Sequence, residues 1–104
     1  MKTVEQIQKA VIEVMDRNNG GDYVFYADEG HAWLEVTRHE VWQLGIQSKI
    51  SRYSYEHDGL VYLEEDCDAA KFIEAKKRLE QAMNFKTKLD HGDSFVRSFK
   101  RFEA

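Results

Sequence analysis

Two stretches of this chain carry the same order of elements: a strand, a glycine turn, a second strand and a capped helix. They cover roughly residues 23–45 and 50–83. In both, aromatic and β-branched residues typical of strands flank a turn, which is Asp28-Glu29-Gly30 in the first stretch and His57-Asp58-Gly59 in the second. Asp-Gly between two such runs is among the strongest short-range hairpin signals. The chain is therefore predicted to form two β-hairpins.

The two stretches align when the second is shifted by 29 residues. The shift places Gly30 on Gly59, Trp33 on Tyr62, Leu34 on Leu63, Glu35 on Glu64 and Thr37 on Asp66. Either the chain contains an internal duplication, or any strand-strand-helix unit needs such residues at such places, and the sequence leaves both explanations open. Two units are too few for a solenoid. They predict one four-stranded, mainly antiparallel sheet.

Helix signals occur at three places. Capping boxes at Thr3/Gln6 and Thr37/Glu40 predict helices near 4–17 and 38–44, and an acidic cap at Asp66 or Asp68 predicts a third over 67–83. The fold class is therefore α+β in the order αββαββα plus a short C-terminal helix, with the helices packed on one face of the sheet. The second hairpin is expected to begin with a strand over 50–55. The predicted core consists of Ile7, Val11, Val14, Leu34, Val36, Val41, Leu44, Ile50, Val61, Leu63, Phe72, Ile73 and Leu79.

A length of 104 residues corresponds to one domain, here assigned to residues 1–93 and followed by a C-terminal helix or tail over 94–104. Ser94 is a potential cap for that helix. The segment places phenylalanines at helical spacing among basic residues: Phe95, Arg97, Phe99, Lys100, Arg101 and Phe102. The apolar stripe either docks back on the domain or contacts another chain, as in a homodimer. Both hypotheses stay open at this point.

Charge separates the chain into two parts. Acidic side chains outnumber basic ones over residues 1–83, and the reverse holds over 84–104. Because phosphate contacts supply most nucleic-acid affinity, the acidic body favours a protein partner with a basic face over nucleic acid. Cys67 is the only cysteine, the N-terminus lacks a secretion signal, and no apolar run is long enough for a membrane helix. These features predict a cytoplasmic protein that does not contact a membrane.

The densest acidic run supplies the first candidate site, a partner-binding surface made of Glu64, Glu65, Asp66 and Asp68. The competing explanation is that carboxylates at a helix N-terminus cap free N–H groups and oppose the macrodipole. The run lacks the spacing of a calcium loop, and the histidines lack metal-ligand spacing. No metal, cofactor or catalytic residue is therefore predicted.

The second candidate site is a face of the sheet with aromatic, histidine and arginine side chains: His31, Trp33, Arg52, Tyr53, Tyr55 and His57. Aromatic residues on a sheet can stack on bases, but packing between strands uses the same residues. A small enzyme built on His31, His57 or Cys67 is a further alternative. The carboxylates around Cys67 oppose its ionisation and argue against a nucleophile there.

Three segments taken together, Gly30–Leu34, Lys49–Tyr55 and Tyr62–Asp66, resemble a small uncharacterised domain of bacteriophage and plasmid accessory proteins. The resemblance covers about residues 22–75. It implies a viral or plasmid context in a bacterial host, in which small proteins bind host or competitor machinery, and it assigns no functional residues.

The function expected from the sequence is that of a non-catalytic protein-binding module of a mobile genetic element, with an anti-defence role as inhibitor of a host defence or nucleic-acid-processing complex. The alternatives are a nucleic-acid-binding accessory protein that uses the sheet aromatics and the basic tail, and the small enzyme named above. The identity of the partner is not encoded in any motif.

Overall fold

The computed structural model describes residues 2–104 and confirms an α+β fold. The helices are α1 (Val4–Asn19), α2 (Arg38–Gln43) and α3 (Ala70–Arg78). The strands are β1 (Asp22–Ala27), β2 (Ala32–Thr37), β3 (Tyr55–His57), β4 (Leu60–Glu64), β5 (Asn84–Leu89) and β6 (Lys100–Arg101). Short 3₁₀ turns lie at Gln47–Lys49 and Phe95–Ser98, and a π-helical turn covers Glu65–Ala69. Within residues 2–104, no helix is both long and apolar enough to cross a membrane.

Both predicted hairpins form, and local chemistry explains them. In the β3–β4 hairpin, Asp58 and Gly59 both have positive φ angles, of 48° and 83°, as a two-residue type I′ turn requires. In the β1–β2 hairpin the Asp28 carboxylate accepts hydrogen bonds from the backbone N–H groups of Gly30 and His31. Both predicted capping boxes, at Thr3 and Thr37, are also present. These elements depend on contacts within a few residues.

The sheet is larger than predicted, with six strands in the order β5-β1-β2-β4-β3-β6. The four predicted strands form its antiparallel centre, where β2 and β4 pair with Leu34 opposite Leu63. The two added strands are β5, parallel to β1, and β6, antiparallel to β3. Strand β5 is exposed along its whole length, and its Phe85, Thr87 and Leu89 alternate with Lys86 and Lys88, a short strand signal that the sequence prediction missed.

The prediction that all helices lie on one face is wrong. One face packs against α2 and α3 in a core that includes Leu34, Val36, Val61, Leu63 and Phe72. The other face packs against α1 and the C-terminal segment in a second cluster, formed by Val14, Trp33, Tyr55, Leu60, Tyr62 and Val96. Strand β2 is therefore buried on both faces, which requires a cover on each side of the sheet.

The segment 50–55 was predicted as a strand, but only its last residue, Tyr55, belongs to β3. The cause is the buried carboxylate of Asp68, which accepts hydrogen bonds from the backbone and hydroxyl of Ser51 and from the hydroxyl of Ser54. These bonds hold the chain in an irregular path beside the π-helical turn. A side chain distant in sequence thus replaces the strand ladder.

The third helix begins and ends differently from the prediction over 67–83. Glu64, not Asp66 or Asp68, caps the π-helical turn that precedes it, and Glu80 adopts a positive φ of 56° just beyond its end. Leu79, a predicted core residue, is consequently exposed. The helix predicted after Ser94 is also wrong: Ser94 caps only a 3₁₀ turn, and β6 follows. Pairing of β6 with β3 extends the chain where a helix would have continued.

Candidate functional site

The central pair of strands contains one arrangement twice. In the pairing of β2 with β4, Glu35 lies opposite Tyr62 and Trp33 lies opposite Glu64. The 29-residue shift of the repeat maps Trp33 onto Tyr62 and Glu35 onto Glu64, so each pair contains one aromatic residue and one glutamate from equivalent positions. Both glutamates are almost fully buried, on the face of the sheet that carries the second cluster. The paired strands therefore hold two related aromatic–glutamate pairs, whose surroundings differ.

In the Glu35–Tyr62 pair, which we call the closed pair, the buried carboxylate has both a hydrogen-bond donor and a cation from the protein. The Tyr62 hydroxyl donates to Glu35 Oε2 at 2.8 Å, and Arg17 of α1 reaches Glu35 Oε1 at 3.1 Å. Burial and the neighbouring Glu35 carboxylate raise the pKa of Tyr62 well above its usual range. The charge of Glu35 is therefore matched by Arg17, and this pair has a structural role in the second cluster.

In the Trp33–Glu64 pair, which we call the open pair, neither polar group has the partner found in the closed pair. Trp33 is only 2% exposed, and its Nε1–H is buried without a hydrogen-bond partner. Glu64 accepts from the backbone N–H of Cys67 at 2.8 Å and lies 3.3 Å from His31 Nδ1. Within residues 2–104, no lysine or arginine forms an ion pair with Glu64. The carboxylate thus lacks the cation that Arg17 supplies to its counterpart.

A cavity of about 240 Å³ lies beside this open pair. Six of its lining residues belong to six different strands and turns, and two lie in loops. The eight residues are His31, Trp33, Tyr53, Tyr55, Glu64, Cys67, Arg97 and Arg101. Trp33 and Tyr55 meet edge to face with ring centroids 6.0 Å apart. Tyr53 is 66% exposed and stands free at the edge. The cavity therefore combines a rigid aromatic wall with accessible polar groups.

Two arginines of the C-terminal segment lie over the aromatic wall. Arg101 Cζ is 4.4 Å from the centroid of the Tyr55 ring, and Arg97 Cζ is 5.0 Å from that of Trp33. Both distances are typical of cation–π contacts. Arg97 is neutralised by Asp28, whereas Arg101 forms no ion pair within the part of the chain that the structure describes. Arg101 is therefore the cation available to a ligand.

Asp28 fixes the geometry of two cavity residues. Its carboxylate accepts from Arg97 Nε at 2.6 Å, from Arg97 Nη2 at 3.1 Å, and from the backbone N–H of Ser94, Gly30 and His31. The Arg97 hydrogen bonds, helped by these backbone donors, hold the pKa of Asp28 well below its usual range. The same carboxylate thus orients the His31 turn and attaches the C-terminal segment to it.

The structure brings together four of the six residues predicted for the sheet face. His31, Trp33, Tyr53 and Tyr55 line the cavity. Arg52 is exposed and does not line it. His57 stacks on Phe99 at 4.2 Å and contacts Asp58 at 3.1 Å.

The predicted acidic surface divides into two buried and two exposed residues. Glu65 and Asp66 are exposed, whereas Glu64 and Asp68 are buried and hydrogen-bonded internally. Burial alone would raise the pKa of Asp68, but hydrogen bonds from Ser51, Ser54 and Lys71 outweigh it and lower that pKa. Capping and internal bonding therefore account for half of the run.

The predicted tail packs against the domain in the structure. Phe102 is fully buried in the core formed with α2 and α3, and Phe99 packs against the second cluster. Phe95 remains partly exposed and contacts Tyr26 and Tyr62. Lys100 lies 3.5 Å from a Glu56 carboxylate oxygen. Arg97 and Arg101, predicted only as parts of the tail, prove to be cavity residues.

The titratable groups of the cavity show how it can act chemically. A hydrogen bond to Glu64 raises the pKa of the Cys67 thiol, which opposes nucleophilic chemistry. His31, Glu64 and Asp66 offer three potential metal-ligating atoms within 4.8 Å of one another.

The sequence analysis did not predict the group of His31, Glu64 and Asp66 or the role of Asp28. In both cases the residues that come together belong to elements that are far apart in the chain. The only local signal at Asp28 is an aspartate opening a turn.

Comparison of the chain with models of known protein families, with curated proteins and with solved structures found no significant match. The geometry of the cavity therefore carries the functional argument.

Proposed function

We propose that this chain is a non-catalytic protein-binding module and that the face around the cavity is its docking surface. The observation that carries the proposal is the composition of that face: a pocket walled by Trp33 and Tyr55, with Arg101 stacked on the wall and Tyr53 exposed beside it. Tryptophan, tyrosine and arginine are enriched among the residues that contribute most to binding energy at protein interfaces. Of the residues at this face, Tyr53 and Arg101 are exposed and accessible to a partner.

The rim of the cavity gives the docking surface its charge pattern. Arg101 provides a cation without an ion-pair partner in the described chain, while Glu65 and Asp66 are exposed close by in sequence to the lining residues Glu64 and Cys67. A partner protein with a basic face matches these carboxylates and the acidic body. The resemblance to mobile-element proteins adds the proposed setting: a bacterial cytoplasm, in which the module inhibits a host defence or nucleic-acid-processing complex.

The absence of a role in catalysis is supported by the contacts of the candidate nucleophile and bases. A hydrogen bond to Glu64 raises the pKa of Cys67, which opposes formation of a thiolate. His57 contacts Phe99 and Asp58, which do not line the cavity. His31 is directed to Glu64. Among the described residues, no hydrogen bond joins Cys67 to His31, the pairing that would activate a cysteine nucleophile.

A second candidate function, binding of single-stranded nucleic acid, is favoured by the contact between the basic C-terminal segment and the sheet aromatics. Arg97 and Arg101 lie directly over Trp33 and Tyr55. The same contact weakens this candidate, because the buried rings are covered and only Tyr53 is open for base stacking. The protein-binding proposal therefore has the stronger support.

The test is affinity capture from bacterial lysate with the immobilised full chain, its Tyr53→Ala and Arg101→Ala variants, and Leu79→Ala as a matched control. Leu79 is exposed like Tyr53 but belongs to the end of α3. We expect a protein that is captured by the wild type and by Leu79→Ala, and captured at least tenfold less by the two cavity variants, with nuclease treatment making no difference.

Two results would contradict the proposal. One is capture that is equally strong with Tyr53→Ala and Arg101→Ala. The other is direct binding of random single-stranded DNA at micromolar concentration that weakens steeply with salt, which would favour the second candidate.

A further inference from the structure

Comparison of the two aromatic–glutamate pairs shows that Glu64, in the open pair, lacks the cation that Glu35 has in the closed pair. In the closed pair, the buried Glu35 carboxylate is matched by a cation, the Arg17 guanidinium, at 3.1 Å. In the open pair, the equally buried Glu64 has only the imidazole of His31 at 3.3 Å, and that side chain is half exposed. A buried carboxylate without a matched charge is costly, because burial penalises the ionised form. Glu64 is therefore the position in this sheet where an added cation gains most.

The atoms around Glu64 match the ligands of a metal ion. We propose that His31, Glu64 and Asp66 bind a divalent transition-metal ion at the edge of the cavity. The proposed ligands are one imidazole nitrogen and two carboxylate oxygens, which lie within 4.8 Å of one another. One imidazole and two carboxylates suit Mn²⁺ or Zn²⁺.

The three ligands are placed by separate and mostly rigid elements. His31 follows the turn fixed by Asp28, and Glu64 ends β4 with one carboxylate oxygen held by the Cys67 N–H. Asp66 lies in the π-helical turn Glu65–Ala69 and is exposed. Ligands of one ion at about 2.0–2.2 Å lie roughly 3.5 Å apart, so rotation of the exposed Asp66 and His31 side chains closes the site. Single π-helical turns are rare and occur frequently at functional sites.

A second observation at the same cavity points to a missing ligand. Trp33 lines the cavity, and its ring lies 6.0 Å from that of His31. Its Nε1–H is buried without an acceptor, whereas the corresponding Tyr62 hydroxyl has Glu35. With three protein ligands, a bound ion keeps an open position for an oxygen ligand, either water or a carboxylate. Such an oxygen is the kind of acceptor that the indole N–H lacks.

The ion site is tested on the purified full chain, without any partner, so its outcome is independent of the protein-binding proposal. Mn²⁺ or Zn²⁺ is titrated by calorimetry into the wild type and into the variants His31→Gln and Asp66→Asn. His57→Gln is the matched control, since His57 also contacts a carboxylate, at 3.1 Å from Asp58, but belongs to no three-donor group among the described residues. We expect one saturable site with micromolar affinity, weakened tenfold or more by the two ligand variants and unchanged by His57→Gln.

The NMR signals of the two indole N–H groups show where in the protein Mn²⁺ binds. The chain has two tryptophans, and Trp42 packs against Phe102 in the core on the other face of the sheet. Mn²⁺ is expected to broaden the Nε1–H signal of Trp33 more strongly than that of Trp42, and this difference should disappear in His31→Gln. Absence of saturable binding up to millimolar Mn²⁺ and Zn²⁺ would overturn the proposal. Binding that survives both His31→Gln and Asp66→Asn, or equal broadening of the two indoles, would overturn it as well.

Discussion

The Asp28 carboxylate offers the sharpest test of how the site is held together, through the substitution Asp28→Asn. The side chain is 3% exposed and accepts five hydrogen bonds, two of them from Arg97. An asparagine keeps one oxygen and turns the other acceptor into an NH₂ donor. If the NH₂ group replaces Oδ2, it faces the N–H of Ser94 and the Nε–H of Arg97, so two bonds are lost. The opposite orientation loses three.

The magnitude follows from these contacts. A hydrogen bond to a charged group contributes about 1.5–3 kcal/mol, so two lost bonds set a range of about 3–6 kcal/mol. Arg97 is one-third exposed and recovers solvation when it is released. We therefore expect Asp28→Asn to lower the free energy of unfolding at pH 7 by about 2–4 kcal/mol. Urea unfolding followed by circular dichroism measures it, and Glu29→Gln, an exposed neighbour with the same charge change, is the control.

The pH dependence gives a second, independent check. The pKa of Asp28 is lower in the folded protein than in the unfolded chain, where it is about 3.9. Its contribution is thus complete above the unfolded-state pKa and is lost as the pH falls through the folded-state value. The stability difference between wild type and Asp28→Asn should shrink as the pH is lowered below about 4. A variant within about 0.5 kcal/mol of wild type at pH 7, or a difference that is constant down to pH 3, would refute the reasoning.

Two further predictions concern buried aromatic side chains. Because Phe102 is fully buried in the core, Phe102→Ala should cost about 3–5 kcal/mol in urea unfolding and leave the mass in sedimentation equilibrium unchanged, while the partly exposed Phe95→Ala should cost clearly less. A change of mass with little loss of stability would instead assign the C-terminal phenylalanines to an interface between chains. Because burial and Glu35 raise the pKa of Tyr62, its phenol stays protonated in the folded state, so wild type and Tyr62→Phe should absorb equally at 295 nm and pH 11. A lower absorbance of the variant would show that Tyr62 ionises in the folded protein.

Elements whose causes are local were predictable from the sequence. Asp58-Gly59 forms its turn because adjacent residues accept positive φ angles, and the boxes at Thr3 and Thr37 cap their helices because both partners lie three residues apart. The alternation of β2 and β4 likewise placed four residues of the core, Leu34, Val36, Val61 and Leu63. Where a distant side chain competes, the local signal fails, as at residues 50–55, which bond to Asp68 instead of forming a strand.

Long-range pairing was not predictable in the same way. Strand β5 forms on the edge that β1 offers, where Phe85 contacts Tyr23 and Phe25. Strand β6 pairs with β3 after Val96 and Phe99 have packed on the second face of the sheet. The leading helix was predicted, but its side of the sheet depends on which face β2 and β4 leave uncovered. The sequence contains no signal for these choices, since each is made between segments that are far apart in the chain.

The same division applies to the candidate site. The sequence by itself predicted the repeat, the two hairpins and a sheet-face set that includes His31, Trp33, Tyr53 and Tyr55, although Tyr53 lies outside the strands. Only the tertiary structure decided that Arg17 of α1 covers one of the two repeated pairs and leaves the other open beside a cavity. The physical reason is that α1 precedes both units and covers one face of one sheet. Two equivalent aromatic–glutamate pairs therefore have different environments in the folded protein, one covered by Arg17 and the other beside the cavity.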